Sequence, residues 1–177
     1  MDFKVIETKI KDLKVFQPEK FEDTRGYLIE SYRENFYEKY VPNVNFVQDN
    51  ESQSSFGVIR GLHYQVAPFE QSKLIRVIKG KIQDIAVDLR KDSPTYLDYV
   101  SVILSNKNRK QLYIPRGFAH GFLVLSDEAI VNYKMDEYFN QECYRGLRYD
   151  DPKIDIKWEL DQSQISMSDK DRKFRFL

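Results

Sequence analysis

Alternation of apolar and polar positions, rather than helical periodicity, dominates this chain. Leu74 to Ile78 and Ile82 to Leu89 read as two strands around the turn Lys79-Gly80-Lys81. Within the second, Ile85, Val87 and Leu89 share one face and Asp84, Ala86 and Asp88 the other, because successive side chains of a strand point to opposite sides. Val100, Val102 and Leu104 alternate in the same way. The polar run Ser105 to Lys110 then makes a turn before Gln111 to Ile114, and Val131, Tyr133 and Met135 line one face of a further strand. Helical spacing is confined to Arg33 to Tyr40, where Phe36, Tyr37 and Tyr40 recur on one side and Pro42 stops the run. From Asp150 onward the chain is polar and poor in strand formers, which predicts an extended tail with a turn or short helix near Ser166 to Arg172. Short strands separated by turns at roughly ten-residue intervals predict an all-β sandwich or barrel. No linker, low-complexity run or solenoid repeat interrupts residues 1–177, so a single domain is expected.

Composition narrows the picture. Aromatic residues make up 14% of the chain, with 12 Tyr and 12 Phe, which favours strands and stacking surfaces over helical bundles. The 28 basic and 28 acidic residues cancel, so any anionic ligand is held by a few placed cations and not by bulk charge. Generic binding to nucleic acid is excluded on the same ground. The only cysteine is Cys143, so no intramolecular disulfide forms and a reduced, cytoplasmic setting is expected. Charged residues interrupt the N-terminal MDFKVIETKI, which reads as neither a signal peptide nor a membrane span. Without secretion the acceptor tripeptide Asn50-Glu51-Ser52 carries no meaning.

Candidate chemistry centres on the two histidines. His63 lies in Val58-Ile59-Arg60-Gly61-Leu62-His63-Tyr64-Gln65, and His120 in Ile114-Pro115-Arg116-Gly117-Phe118-Ala119-His120-Gly121-Phe122. In both segments glycine permits close backbone approach and arginine offers a fork for phosphate or carboxylate. One such histidine fits a structural role as well as a chemical one; two in one chain favour chemistry. A metal site needs three or more ligands, and these histidines stand 57 positions apart with no clustered carboxylate, so no metal is expected. Cys143 has no neighbouring histidine, and no nucleophile elbow, phosphate loop or dinucleotide fingerprint is present. General acid–base chemistry remains, with histidine the natural base near neutral pH. His63, Lys73 and Tyr133 would supply base, enolate stabiliser and acid if the fold brings them together.

Against that background the sequence resembles the dTDP-4-dehydrorhamnose 3,5-epimerase family (dTDP, deoxythymidine diphosphate). The segments that carry the resemblance run collinearly through nearly the whole chain: Asp23-Thr24-Arg25-Gly26 with Glu30-Ser31; Phe46-Val47-Gln48-Asp49-Asn50; Arg60-Gly61-Leu62-His63-Tyr64-Gln65; Lys73-Leu74-Ile75-Arg76-Val77; Asp84 to Arg90; Ser93-Pro94-Thr95; Ile114 to Phe122; Tyr133-Lys134; Asp150-Asp151-Pro152; and Ser168-Asp169-Lys170-Asp171. The resemblance implies a cupin-like jelly-roll β-barrel with short peripheral helices, forming a homodimer and needing no metal or other cofactor. It implies inversion at C3 and C5 of dTDP-4-dehydro-6-deoxyglucose. His63 would be the base, oriented by Asp171, with Lys73 holding the enolate oxygen and Tyr133 returning a proton on the opposite face. His120 would line the sugar pocket. Arg25, Arg60 and Lys170 match positions that bind the diphosphate and sugar, while Gln48, Asn50, Glu30 and the stacking candidate Tyr27 match the nucleotide end.

The chain departs from the family pattern at Ser72, Tyr113, Arg116 and Glu159, none of them a catalytic position. Arg116 adds a positive charge near His120. Taken singly, Tyr133 fits strand packing, Asp171 a solvated tail and Arg60 a surface ion pair. Their agreement with one mechanism favours the epimerase over two neighbours: a C3-only or C5-only epimerase of a related 4-keto nucleotide sugar, and a non-catalytic or metal-dependent cupin.

Overall fold

The computed structural model describes residues 2–177. In chain order its strands are β1 (Phe3–Glu7), β2 (Lys14–Pro18), β3 (Lys20–Asp23), β4 (Gly26–Ile29), β5 (Gln48–Ser55), β6 (Ile59–Gln65), β7 (Lys73–Lys79), β8 (Lys81–Asp88), β9 (Tyr99–Ser105), β10 (Gln111–Ile114), β11 (Phe118–Val124), β12 (Glu128–Met135) and β13 (Tyr144–Gly146). Helix is limited to α1 (Glu34–Tyr37), α2 (Asp169–Arg172) and a 3-10 turn at Gln162–Gln164. The all-β expectation therefore holds. Among the described residues no helix is long and apolar enough to cross a membrane.

Two antiparallel sheets face each other. One has six strands in the order β1-β2-β10-β7-β12-β5, the other five in the order β13-β6-β11-β8-β9. Strands β3 and β4 form a separate two-stranded hairpin. Inward-pointing residues of both sheets make one apolar core. Ile75, Val77, Leu112 and Val131 come from the larger sheet, and Ile82, Ala86, Leu104, Phe118 and Phe122 from the smaller. Interdigitated side chains of two inner faces are what hold such a sandwich together.

Strand β8 is buried on both faces, which explains its near-continuous burial after Lys81. Ala86 meets the inner core, while Ile85 and Val87 pack outward under Leu147, Ile154 and Ile156 of the C-terminal tail. The alternation visible in the sequence thus separates two buried faces. The turn at Gly80 carries the chain from the six-stranded sheet into the five-stranded one, so β7 and β8 do not pair with each other. Gly80 takes φ +84°, and a Cβ there would collide with the Glu128 carbonyl, so glycine is required.

The expected helix over 33–40 is shorter, with α-helix only at Glu34–Tyr37 and turns beyond. Its end is fixed by packing: Tyr37 is buried against Phe3 and Phe16, and its hydroxyl donates to Gln111 Oε1 at 2.7 Å. In the tail the expected short helix forms as α2, where the Asp171 N–H donates to Ser168 Oγ as an N-cap.

Candidate active site

Strand parity decides which side chains face the interior. On β6, Leu62 packs outward with Ala119 of β11, so His63 and His120 point inward from the five-stranded sheet. The two histidines stand opposite one another in the β6/β11 register. On β7 and β12, Ile75 and Val131 belong to the inner core, so Lys73 and Tyr133 share their inward face on the six-stranded sheet. Between these four residues, where the apolar filling ends, lies a cavity of about 410 Å³.

Glycine makes the close pairing of the histidine strands possible. A Cβ on Gly61, which has φ +130°, would lie 2.5 Å from Gly121 Cα; one on Gly121 would lie 2.8 Å from the Arg60 carbonyl. The crowded glycines of the two histidine segments are therefore a matter of strand approach.

Each histidine has a carboxylate partner. His63 Nε2 lies 2.7 Å from Asp171 Oδ1, and Asp171 is buried within the tail helix α2. That contact places the imidazole N–H on Nε2 and leaves the Nδ1 lone pair as the free base. His120 Nε2 sits 3.0 Å and 3.1 Å from the two oxygens of Asp84, which is fully buried on β8.

Burial sets the electrostatics. It lowers the His63 pKa, assisted by the Lys73 and His120 charges, while Asp171 pulls the other way. Burial also raises Asp171, but the hydrogen bonds from His63, Gly61 and Ser168 outweigh it and keep the group below the ordinary carboxylate range. The pair at neutral pH is therefore imidazole and carboxylate. Lys73 is pushed down to about 8 by burial, with Asp84 countering. Asp84 is raised by burial against the pull of His120 and Lys73. A desolvated lysine beside a histidine–aspartate pair is the kind of perturbed cluster that marks chemistry.

The cavity gathers most of the residues expected from sequence. Gln48, Asn50, Arg60, His63, Lys73, His120 and Tyr133 all line it. Asp171 and Lys170 line an adjoining cavity of about 390 Å³, which shares Arg60, His63 and Tyr144 with the first. Three expected residues lie elsewhere. Arg25 and Tyr27 are exposed on the β3–β4 hairpin, where Arg25 pairs with Asp23 at 2.6 Å. Glu30 pairs with Arg33 at 3.2 Å. Within one chain, these three do not reach the cavity. Arg116 is held by Asp136 at 2.9 Å, which neutralises the charge it was expected to bring toward His120.

Sequence reasoning missed Asp84 as the partner of His120, and Gln71, Phe139 and Tyr144 as cavity walls. Asp84 had a weak signal, an acidic residue on the less apolar face of β8; the loop residue Phe139 had none. Among the described residues no three His, Cys, Asp or Glu side chains group as a metal site.

Comparison with known proteins gives the family. The family model described as dTDP-4-dehydrorhamnose 3,5-epimerase matches residues 7–177. A curated relative of that name from Methanothermobacter thermautotrophicus is 47% identical over 175 residues, covering 98% of this chain and 94% of the relative. The crystal structure of the Bacillus anthracis dTDP-4-dehydrorhamnose 3,5-epimerase with TDP and PPi bound is 45% identical, covers 99% of this chain and 100% of its own, and superposes with a TM-score of 0.95. A Legionella pneumophila dTDP-6-deoxy-D-glucose-3,5-epimerase in complex with dTDP-4-keto-L-rhamnose is 42% identical, covers 99% and 93%, and also reaches 0.95.

Proposed function

The chain belongs to the dTDP-4-dehydrorhamnose 3,5-epimerase family and is a nucleotide-sugar isomerase, and on that premise we propose that His63, Lys73 and Tyr133 invert C3 and C5 of dTDP-4-dehydro-6-deoxyglucose. The C4 ketone of such a sugar acidifies the hydrogens on both neighbouring carbons. His63 Nδ1 takes one of these protons, and Asp171 steadies the imidazolium that results. The electron pair moves into an enolate whose oxygen is held by the desolvated Lys73 ammonium. Tyr133 then delivers a proton to the same carbon from the opposite face, which inverts it. Repetition at the second carbon completes the reaction, and solvent restores the two protonation states.

The observation that carries this reading is the arrangement across the cavity. His63 projects from one sheet and Tyr133 from the other, with Lys73 beside Tyr133's strand. Inversion needs a proton acceptor and a donor on opposite faces of one carbon. The deciding experiment is exchange in heavy water, with the sugar protons of dTDP-4-dehydro-6-deoxyglucose followed by NMR. Label entering both C3 and C5, and lost in His63→Ala, is expected. Label at one carbon alone would make the chain a single-site epimerase.

We also infer a homodimer. Arg25, Tyr27 and Glu30 stand apart from their own cavity, and the hairpin that carries Arg25 and Tyr27 also exposes Phe21 and Leu28. A second copy that receives this hairpin at its cavity would gain the cation and the stacking ring there. Light scattering should give twice the chain mass of 21.1 kDa.

A further inference from the structure

Around the adjoining cavity, two cations keep their charge. Away from the two cavities several arginines are neutralised by carboxylates: Arg25 by Asp23, Arg90 by Asp88, Arg116 by Asp136 and Arg148 by Asp150. Arg60 is held differently. Its Nε donates to Ser54 Oγ at 2.8 Å and one terminal nitrogen to the Gln53 carbonyl at 3.3 Å. Among the described residues Lys170 makes no ion pair and no side-chain hydrogen bond; its ammonium sits 3.8 Å from the centroid of the Tyr144 ring. Neutral partners fix the position of a cation without cancelling the charge that an anion needs.

We propose that Tyr144 is a positioning residue for the diphosphate of the substrate, acting through Lys170. Its ring is the platform that holds the ammonium at the junction of the two cavities, facing the same space as Arg60. This rests on the functional reading above, which supplies the anion. A lysine free in solution loses rotamer freedom when an anion fixes it. An aromatic face that has already restricted the side chain lowers that cost.

The platform is itself well anchored. Tyr144 opens the edge strand β13, with its backbone registered against Gln65. Its ring stands 5.4 Å from the His63 ring, 5.6 Å from Phe139 and 6.3 Å from Phe174. Burial raises the phenol pKa, as do the neighbouring Asp171 and Tyr133, so the group stays a neutral ring at working pH. The ring, and not an ionised oxygen, is what Lys170 meets.

A surface cation–π contact of this kind corresponds to about a two- to fivefold change in binding. The experiment titrates the protein with dTDP, inorganic pyrophosphate and thymidine by calorimetry. Tyr144→Leu should weaken dTDP and pyrophosphate by that factor and leave thymidine unmoved. Tyr144→Phe should restore both, and in a Lys170→Met background Tyr144→Leu should add nothing. In kinetics the loss should fall on KM and not on kcat. A Tyr144→Phe variant as weak as Tyr144→Leu would assign the effect to the hydroxyl and overturn the proposal. An effect that persists without Lys170 would do the same. A measurement on the unmutated chain guards against misfolding of the leucine variant: the Lys170 ε-methylene protons should be shifted upfield by the ring, and an ordinary shift overturns the contact. A chain that binds no dTDP at all overturns the functional reading; one that binds dTDP but shows no Tyr144–Lys170 coupling overturns this inference alone.

Discussion

Replacing Asp171 by Asn tests the base directly. The substitution keeps size and shape but removes the negative charge 2.7 Å from His63 Nε2. A hydrogen bond to a charged group contributes about 1.5–3 kcal/mol, and here it acts on the imidazolium that forms as the sugar proton is taken. Losing it slows proton abstraction roughly ten- to hundredfold. A second effect adds to the first. The Asn amide can donate to Nε2, which moves the imidazole N–H to Nδ1 and turns the base toward the sugar as a donor. The combined loss therefore extends toward about 10⁴-fold, the upper range for a general base. The acid limb of the pH profile moves as well. Activity falls as pH drops through the His63 pKa, which burial lowers and Asp171 raises. Without the carboxylate the limb shifts to still lower pH. The assay is deuterium entry at C3 and C5 as a function of pH, with the folded state checked by thermal melting. Activity within threefold of the parent, together with an unmoved acid limb, would refute the role of the pair.

The other predictions concern the opposing wall and the scaffold. Lys73→Met should lower kcat by roughly 10²–10³-fold, the scale for one lost oxyanion donor, without lowering the melting temperature; a lower melting temperature with activity kept would contradict the enolate role. In the parent enzyme the basic limb should fall as pH rises through about 8, where Lys73 loses its proton. Tyr133→Phe should leave label exchange running but abolish inversion, so that deuterium enters with retention; inverted product at the parent rate would remove Tyr133 as the acid. Burial would raise the Asp88 carboxyl, but hydrogen bonds from Arg90, Ser93 and Thr95 prevail and hold it at about 2. A pKa depressed on folding gives stability that is present above the unfolded value near 4 and lost as pH falls toward 2, about 2 kcal/mol in all. Urea unfolding of Asp88→Asn between pH 5 and 2 should show a flatter pH dependence than the parent, and an identical slope would refute the assignment.

How much of this was legible depended on distance along the chain. The faces of β8 could be read because a period of two is a local property, and the Arg-Gly-Leu-His-Tyr segment could be read because glycine beside histidine signals close strand approach. The resemblance placed His63, Lys73 and Tyr133, and the fold brings them to one cavity. What stayed hidden depended on pairing. Asp84 meets His120 across 36 positions, and only the β8/β11 register, which sets Asp84 opposite Phe122, brings them together. Tyr144 lies on a three-residue edge strand too short to show a pattern, and Phe139 lies in a loop with no pattern at all. The helix at 33–40 was overextended because aromatic spacing there reflects packing on Phe3 and Phe16 and not helical continuation.

The two histidine–aspartate pairs share a chemistry but not an environment, and the difference explains the division of labour between them. The His63 side chain keeps 27% of its surface and faces the cavity, whereas His120 keeps 10% and Asp84 none. Asp84 lies between His120 and the desolvated Lys73, so burial raises the carboxyl while both neighbours hold it down. The Lys73 ammonium and the Asp84 carboxylate offset each other, which is the form in which buried ions are tolerated. If Lys73 is removed, one of the two pulls that hold the Asp84 carboxyl down is lost, while its hydrogen bond to His120 remains. Lys73 contributes little to the stability of the fold on this account, because burial disfavours its charge. Below about pH 8 the ammonium is present but poorly solvated, and it gains its strongest partner when an enolate oxygen arrives, which is why loss of catalysis without loss of stability is the signature to look for at this position.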